Sequence, residues 1–178
     1  MVEVEAKVRL SDKDCKRLPK AILAFAKPLG VSTKKDQYYG NGAFDLRIRE
    51  ENGVAVLTIK HRKRERGIEM NEETEIPIPR AAPWDRMLRQ NGFPLKAKKE
   101  KRCQAFQYGK FRIELNTVKG LGHFLEIERL VKGESEVLEA KKDLVALFRK
   151  LGFGPATFER KLYLELLAEK RKNRKASK

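Results

Sequence analysis

Apolar and polar residues alternate strictly from the second position: Val2, Val4, Ala6, Val8 and Leu10 form one face, and Glu3, Glu5, Lys7 and Arg9 the other. A period of two predicts a β-strand, here with one wholly charged face. Ser11 and Asp12 are helix N-cap types, and Leu18, Ile22, Leu23 and Phe25 follow at helical spacing, so a helix is expected until Pro28 and Gly30 close it. Two strands, Asp45–Glu51 and residues 54–62, flank Asn52-Gly53, a dipeptide suited to a type I′ hairpin because both turn positions need positive φ. A two-residue turn sets the register: Arg49 faces Val56, Arg47 faces Thr58 and Asp45 faces Lys60. Arg47, Arg49, Thr58 and Lys60 then share one face, with Leu46, Ile48, Leu57 and Ile59 on the other.

Ile68–Ile78 reads as a strand stopped by Pro79, and Ala81–Gln90 as a short helix ending before Asn91-Gly92. Residues 96–106 form a long basic strand. Residues 111–116 and 123–131 alternate again on either side of the Gly120-Leu121-Gly122 turn. Residues 135–151 make an amphipathic helix on Val137, Leu138, Leu144, Leu147, Phe148 and Leu151, and 158–167 another. About eight strands and four helices, with no internal repeat or linker, predict an α+β domain.

At 178 residues the chain has room for one domain with a short appendage. It is 40% hydrophobic, enough for a core, and 37% charged, so many charges must be exposed or paired. The formal charge of +16 is concentrated in residues 60–66, 96–102 and 169–178, and favours polyanionic partners. The last segment has no apolar periodicity and is expected to be a frayed helix end running into a disordered basic tail over 169–178, making at most weak nucleic-acid contact, behind a domain spanning 1–168. Cys15 and Cys103 lie far apart without a ligand cluster, and no signal peptide or apolar run of spanning length is present. A cytoplasmic protein with idle thiols and no membrane partner is expected, as monomer or homodimer.

The polar strand faces carry like charges in i, i+2 pairs: Glu3/Glu5, Glu73/Glu75 and Glu126/Glu128 are acidic, and Arg47/Arg49 and Lys99/Lys101 basic. Any one face is equally well explained as solvated surface. Together they suggest a closed sheet with a charged inner wall, where like charges are costly unless a ligand neutralises them. A divalent cation for the carboxylates and a polyphosphate for the bases would do so jointly.

Glu3-Val-Glu5-Ala-Lys7 resembles the ExExK opening of the CYTH family, the triphosphate tunnel metalloenzymes. The likeness continues in order through Asp36-Gln-Tyr38-Tyr39, Leu46-Arg-Ile-Arg49, Leu57-Thr-Ile-Lys60, Glu73-Thr-Glu75-Ile-Pro77, Gly120-Leu-Gly-His-Phe-Leu-Glu126-Ile-Glu128 and Tyr163-Leu-Glu-Leu-Leu167. The resemblance implies an eight-stranded antiparallel β-barrel, a triphosphate tunnel with helices packed outside, that binds a triphosphate-containing small molecule with Mg²⁺ or Mn²⁺. It implies Glu3, Glu5, Glu126 and Glu128 as metal ligands, Lys7, Arg47, Arg49, Lys60 and Lys101 or Arg102 as phosphate ligands, and Glu73 and Glu75 as acidic wall. Lys7, Glu5 and Glu128 are the catalytic candidates. Asn116 stands where the family usually has Asp, which implies a weaker metal ligand or a group orienting water. The register of Lys99, Lys101 and Arg102 is open by one residue.

The reading favoured is a metal-dependent triphosphate hydrolase. The alternatives are a class IV adenylyl cyclase making cyclic AMP from ATP, if a ribose 3′-hydroxyl replaces water as nucleophile, and a non-catalytic triphosphate- or RNA-binding module. Tyr38, Tyr39 and Phe44 are the candidates for contact with a nucleobase. Cys103, Trp84, His61 and His123 are expected to have no chemical role.

Overall fold

The structure is a computed structural model that describes residues 1–40 and 45–176; Phe44 lies outside the described residues. Eight antiparallel strands close into a barrel in the order β1-β5-β4-β3-β2-β6-β7-β8, with β1 pairing β8. In chain order these are β1 (Val2–Arg9), β2 (Lys27–Tyr39), β3 (Asp45–Glu51), β4 (Val54–Glu65), β5 (Ile68–Ile78), β6 (Leu95–Tyr108), β7 (Phe111–Val118) and β8 (Gly122–Val131). Helix α1 (Asp12–Leu23) follows β1, α2 (Ala81–Gln90) follows β5, and α3 (Val137–Lys150) and α4 (Tyr163–Ala176) end the chain.

The barrel is apolar outside and charged inside, as the alternation in β1 anticipates. Val2, Val4, Ala6 and Val8 pack outward with Ile113, Leu125 and Ile127 against Leu18 and Ile22 of α1 and Leu144, Leu147 and Phe148 of α3. On the opposite side Leu46, Ile48, Leu57 and Ile78 pack against Ala81 and Leu88 of α2, with Trp84 partly buried beside them. Each of the larger side chains contributes about 1.5–3 kcal/mol through burial, so the helices hold the barrel from without. α1 begins with a reciprocal cap, Asp14 N–H donating to Ser11 Oγ at 3.3 Å and Ser11 N–H to Asp14 Oδ2 at 3.2 Å.

The β3–β4 hairpin has the expected register, with Arg49 opposite Val56, Arg47 opposite Thr58 and Asp45 opposite Lys60. Its turn residues Asn52 and Gly53 have φ of 51° and 80°.

Three elements differ from the sequence reading. The first helix ends at Leu23, and Pro28 and Gly30 belong to β2, where the ladder with β6 is irregular between them. β2 escapes periodicity because its inward residues Lys34 and Asp36 are charged while Leu29 and Val31 are exposed. Second, β4 runs on to Glu65 and turns through Arg66 and Gly67, both at positive φ, in a hairpin that the arginine conceals. Third, residues 158–162 are not helical: Phe158 bridges to Val8 and packs on Phe148, with ring centroids 4.8 Å apart. α4 starts at Tyr163 and continues through Ala176, so the helix runs further into the basic segment than the frayed end expected there. Among the described residues no helix is long and apolar enough to cross a membrane.

Candidate active site

The bore of the barrel is a cavity of about 520 Å³. Its wall includes eight basic and eight acidic side chains among the described residues, so the bore is balanced and the excess charge of the chain lies elsewhere.

β1 sends Glu3, Glu5 and Lys7 inward. Their neighbour β8 sends Glu126 and Glu128, with Glu5 directly opposite Glu128 and Lys7 opposite Glu126. Carboxylate oxygens of Glu3, Glu5 and Glu128 all lie within 4.8 Å of one another. Three hard oxygen donors at that spacing fit a divalent cation. The electrostatics agree: burial, followed by Glu114 and Glu5, pushes the Glu128 carboxyl up to about 7, and burial, Glu5 and Glu128 raise Glu3 well above the usual range. Glu5 behaves oppositely. Burial would raise it, yet Lys60 and Lys7 hold it down to about 2. Asn71, fully buried on β5, donates Nδ2–H to Glu5 Oε1 at 2.9 Å.

Beside this trio stands a cationic wall in which most bases are already paired. Lys7 Nζ lies 2.7 Å from Glu69, and Lys60 Nζ lies 2.6 Å from Glu73 and 3.7–3.8 Å from Glu5 and Glu3. Arg49 and Lys99 meet on Asp36. Arg47 is held more loosely, with Nη2 donating to Thr58 Oγ1 at 3.1 Å and lying 3.5 Å from Glu73 and from Glu75. Its Nε is buried with no hydrogen-bond partner, a donor placed to meet an anion.

Lys101, not Arg102, faces the bore, which resolves the open register of β6. Lys101 Nζ reaches Glu114 at 3.0 Å and Glu126 at 2.7 Å, whereas Arg102 is exposed on the outer face as strict alternation requires. Glu126 is therefore engaged by Lys101 and by Asn116 Nδ2 at 2.6 Å, while the other three expected ligands cluster without it. Asn116 also lies 3.3 Å from Glu114 and donates to both carboxylates, a role that an ionised Asp could not take. Glu73 and Glu75 both line the bore as expected, Glu75 with its side chain more than half exposed.

Lys34, Asp36, Glu69, Asn71 and Glu114 belong to this charged interior with Lys99, yet of these only Lys99 is singled out by the sequence, as part of the basic face it shares with Lys101. Glu114 could have been found, since it lies on the same strand face as Asn116; the others needed the pairing of β2 with β6 and of β1 with β5. Tyr39 points outward, its hydroxyl donating to Asp85 of α2 at 2.6 Å, and so leaves the list of nucleobase contacts. Cys103 is buried, and burial followed by Glu114 pushes its thiol up to about 12, which leaves it inert. His61 is exposed, and His123 Nδ1 shares a 3.1 Å contact with Thr117.

Residues 1–163 match the CYTH domain. The chain belongs to the CYTH family. A protein of Methanocaldococcus jannaschii that carries the name of an adenylate cyclase is 27% identical over 175 residues, covering 93% of this chain and 98% of the relative. A solved Pyrococcus horikoshii structure shares 28% identity over 92% of this chain and 98% of that one, with a TM-score of 0.81. An adenylyl cyclase homologue from Hippeastrum, described as having a dominant triphosphatase activity, is similar in fold, with a TM-score of 0.63, 21% identity, and coverage of 89% of this chain and 90% of that one. As in the CYTH signature, the first strand supplies ExExK, and here all three charged residues line the bore.

Proposed function

We propose that this CYTH protein is a metal-dependent hydrolase of linear triphosphates, with water as nucleophile and orthophosphate as product. The observation that carries the reading is the carboxylate trio of Glu3, Glu5 and Glu128 set beside a wall of bases in a bore with little, among the described residues, for a nucleobase to stack on. Of the cavity's aromatic side chains, Tyr38 and Tyr163 both face Lys99 Nζ, at 5.5 and 4.9 Å from the ring centroids. The wall recognises phosphate charge.

Glu3, Glu5 and Glu128 would hold Mg²⁺ or Mn²⁺, which when bound supplies Lewis-acid neutralisation of phosphate oxygens. Arg47 offers its free Nε and Arg49 its planar fork to bridging and terminal oxygens, while Lys60 and Lys101 act as point charges. Lys7, opposite Glu126 and close enough to Glu5 to lower its carboxyl, would stabilise charge on the transferred phosphoryl group. These groups are fixed by ion pairs before substrate arrives, so little reorganisation accompanies the reaction.

The test is turnover with Mg²⁺ and with Mn²⁺, using tripolyphosphate and ATP in parallel and scoring orthophosphate and cyclic AMP. Orthophosphate from tripolyphosphate, at least as fast as from ATP, supports the reading. The name of the Methanocaldococcus relative favours a cyclase instead; cyclic AMP as the main product, with tripolyphosphate left intact, would establish that alternative.

A further inference from the structure

Asp36 is fully buried on β2, directly opposite Arg49 of β3 on one side and Lys99 of β6 on the other. Its carboxylate accepts from Arg49 Nε at 2.7 Å and from Arg49 Nη2 at 3.0 Å, and lies 3.0 Å from Lys99 Nζ. Tyr38 O–H donates to it at 3.1 Å. Both arginine contacts use the Nε/Nη2 edge of the fork, which leaves the Nη1 end for a ligand. Lys99 is further confined between the Tyr38 and Tyr163 rings. Arg49, Lys99, Tyr38 and Tyr163 all line the cavity, whereas Asp36 stands behind them.

We propose that Asp36 is a positioning residue: it sets the direction in which Arg49 and Lys99 present their remaining N–H donors to a bound triphosphate. The inference rests on the triphosphate reading of the same bore. An acid behind two phosphate-binding cations opposes anion binding by charge alone, so its place there is explained by geometry, since a bidentate carboxylate fixes a guanidinium plane that would otherwise sample several rotamers. Burial tends to raise the Asp36 carboxyl, but Lys99 and then Arg49 hold it well below its ordinary range, so it remains an acceptor at any working pH.

The two roles predict opposite results. If Asp36 only tunes charge, Asp36→Asn makes the bore more positive and tightens tripolyphosphate binding without loss of turnover, and Asp36→Glu behaves as wild type. If it positions, Asp36→Asn lowers kcat about 10-fold or more while KM stays level or falls, and Asp36→Glu, which keeps the charge but displaces it by one methylene, does not restore kcat. In an Arg49→Ala background the effect of Asp36→Asn should shrink to that acting through Lys99. Equal effects in both backgrounds, or wild-type kcat in Asp36→Glu, would overturn the proposal. Should Asp36→Asn fail to fold, Asp36→Glu decides. If the wild-type chain does not hydrolyse tripolyphosphate, the functional reading fails, and the same cycle is read by calorimetric binding of tripolyphosphate with Mg²⁺. There, a Kd change from Asp36→Asn that differs between the two backgrounds supports the proposal, and an identical change overturns it.

Discussion

Lys60 Nζ stands 3.7 Å from Glu5 Oε1 inside the barrel, and this contact governs how the bore answers acid. Glu5 is held down to about 2 because Lys60 and Lys7 together outweigh the effect of burial. A carboxyl lowered on folding adds stability above its unfolded value of roughly 4.3 and loses it as pH falls toward the folded value.

Lys60→Met should therefore move the acid-unfolding midpoint to higher pH, because Glu5 and Glu73 lose their shared cation. Circular dichroism followed from pH 6 downward with the metal-free protein is the check. Coincident curves for the variant and the wild type would mean that Glu5 is not sustained by Lys60.

Glu128 titrates in the opposite sense. Its carboxyl is raised to about 7, so below that pH a cation must displace a proton from Glu128, and metal affinity should rise at least about tenfold per pH unit up to about pH 7, with the raised Glu3 steepening the slope. In the metal-free protein the same shift makes the contribution of Glu128 to folding fall as pH rises from about 4.3 through 7. Glu128→Gln should weaken Mn²⁺ binding and flatten its dependence on pH. Calorimetry at pH 5.5, 6.5 and 7.5 measures both, and a pH-independent affinity in the wild type would remove Glu128 from the site.

Neighbouring positions on β6 should differ sharply. Lys101→Met leaves Glu126 without its buried cation, while Glu114 keeps Lys34 and Arg112, and should cost about 3–5 kcal/mol of stability as well as turnover. Arg102→Ala, on the exposed face, should stay within about 0.5 kcal/mol of wild type and keep full turnover. Thermal melts and a phosphate-release assay on the two variants provide the comparison; similar losses would mean that the strand is turned.

Gly67 and Gly53 separate strain from crowding. Both hold positive φ, so alanine at either should cost about 1–2 kcal/mol. A Cβ at Gly53 meets nothing within 4 Å, whereas one at Gly67 would lie 2.9 Å from Phe158 Cβ, adding about 1–3 kcal/mol as that segment shifts. Chemical denaturation of Gly53→Ala and Gly67→Ala gives the difference, and equal costs would show that the Phe158 segment yields freely.

How much of this could be read from the chain depended on whether a strand carried an apolar face and a turn signal. β3 and β4 have both, so Asn52-Gly53 alone specifies their register and places Arg47 and Lys60 on one face. β2 had neither: its inward face is Lys34 and Asp36, and Val31 on its outer face is left exposed by the helices. The partnership of Asp36 with Arg49 and Lys99 was hidden with it. The Arg66-Gly67 turn is hidden because arginine seldom adopts positive φ, and the second half of α4 because it is basic and has no apolar stripe to betray a helix. Asn116 was recognised as a departure, but its role as a donor between Glu114 and Glu126 depends on the pairing of β7 with β8.

The segregation of charge between bore and exterior has a kinetic consequence. Pairs such as Lys34–Glu114 and Lys7–Glu69, at 2.7 Å and nearly inaccessible to solvent, are poorly screened by salt, whereas the surplus of basic residues lies outside the bore within reach of counter-ions. Raising ionic strength should then slow the encounter of a polyanion with the protein far more than it hastens its escape once lodged. On the triphosphate reading, capture and retention would then fall to two separate populations of charge, divided by the thickness of a single β-sheet.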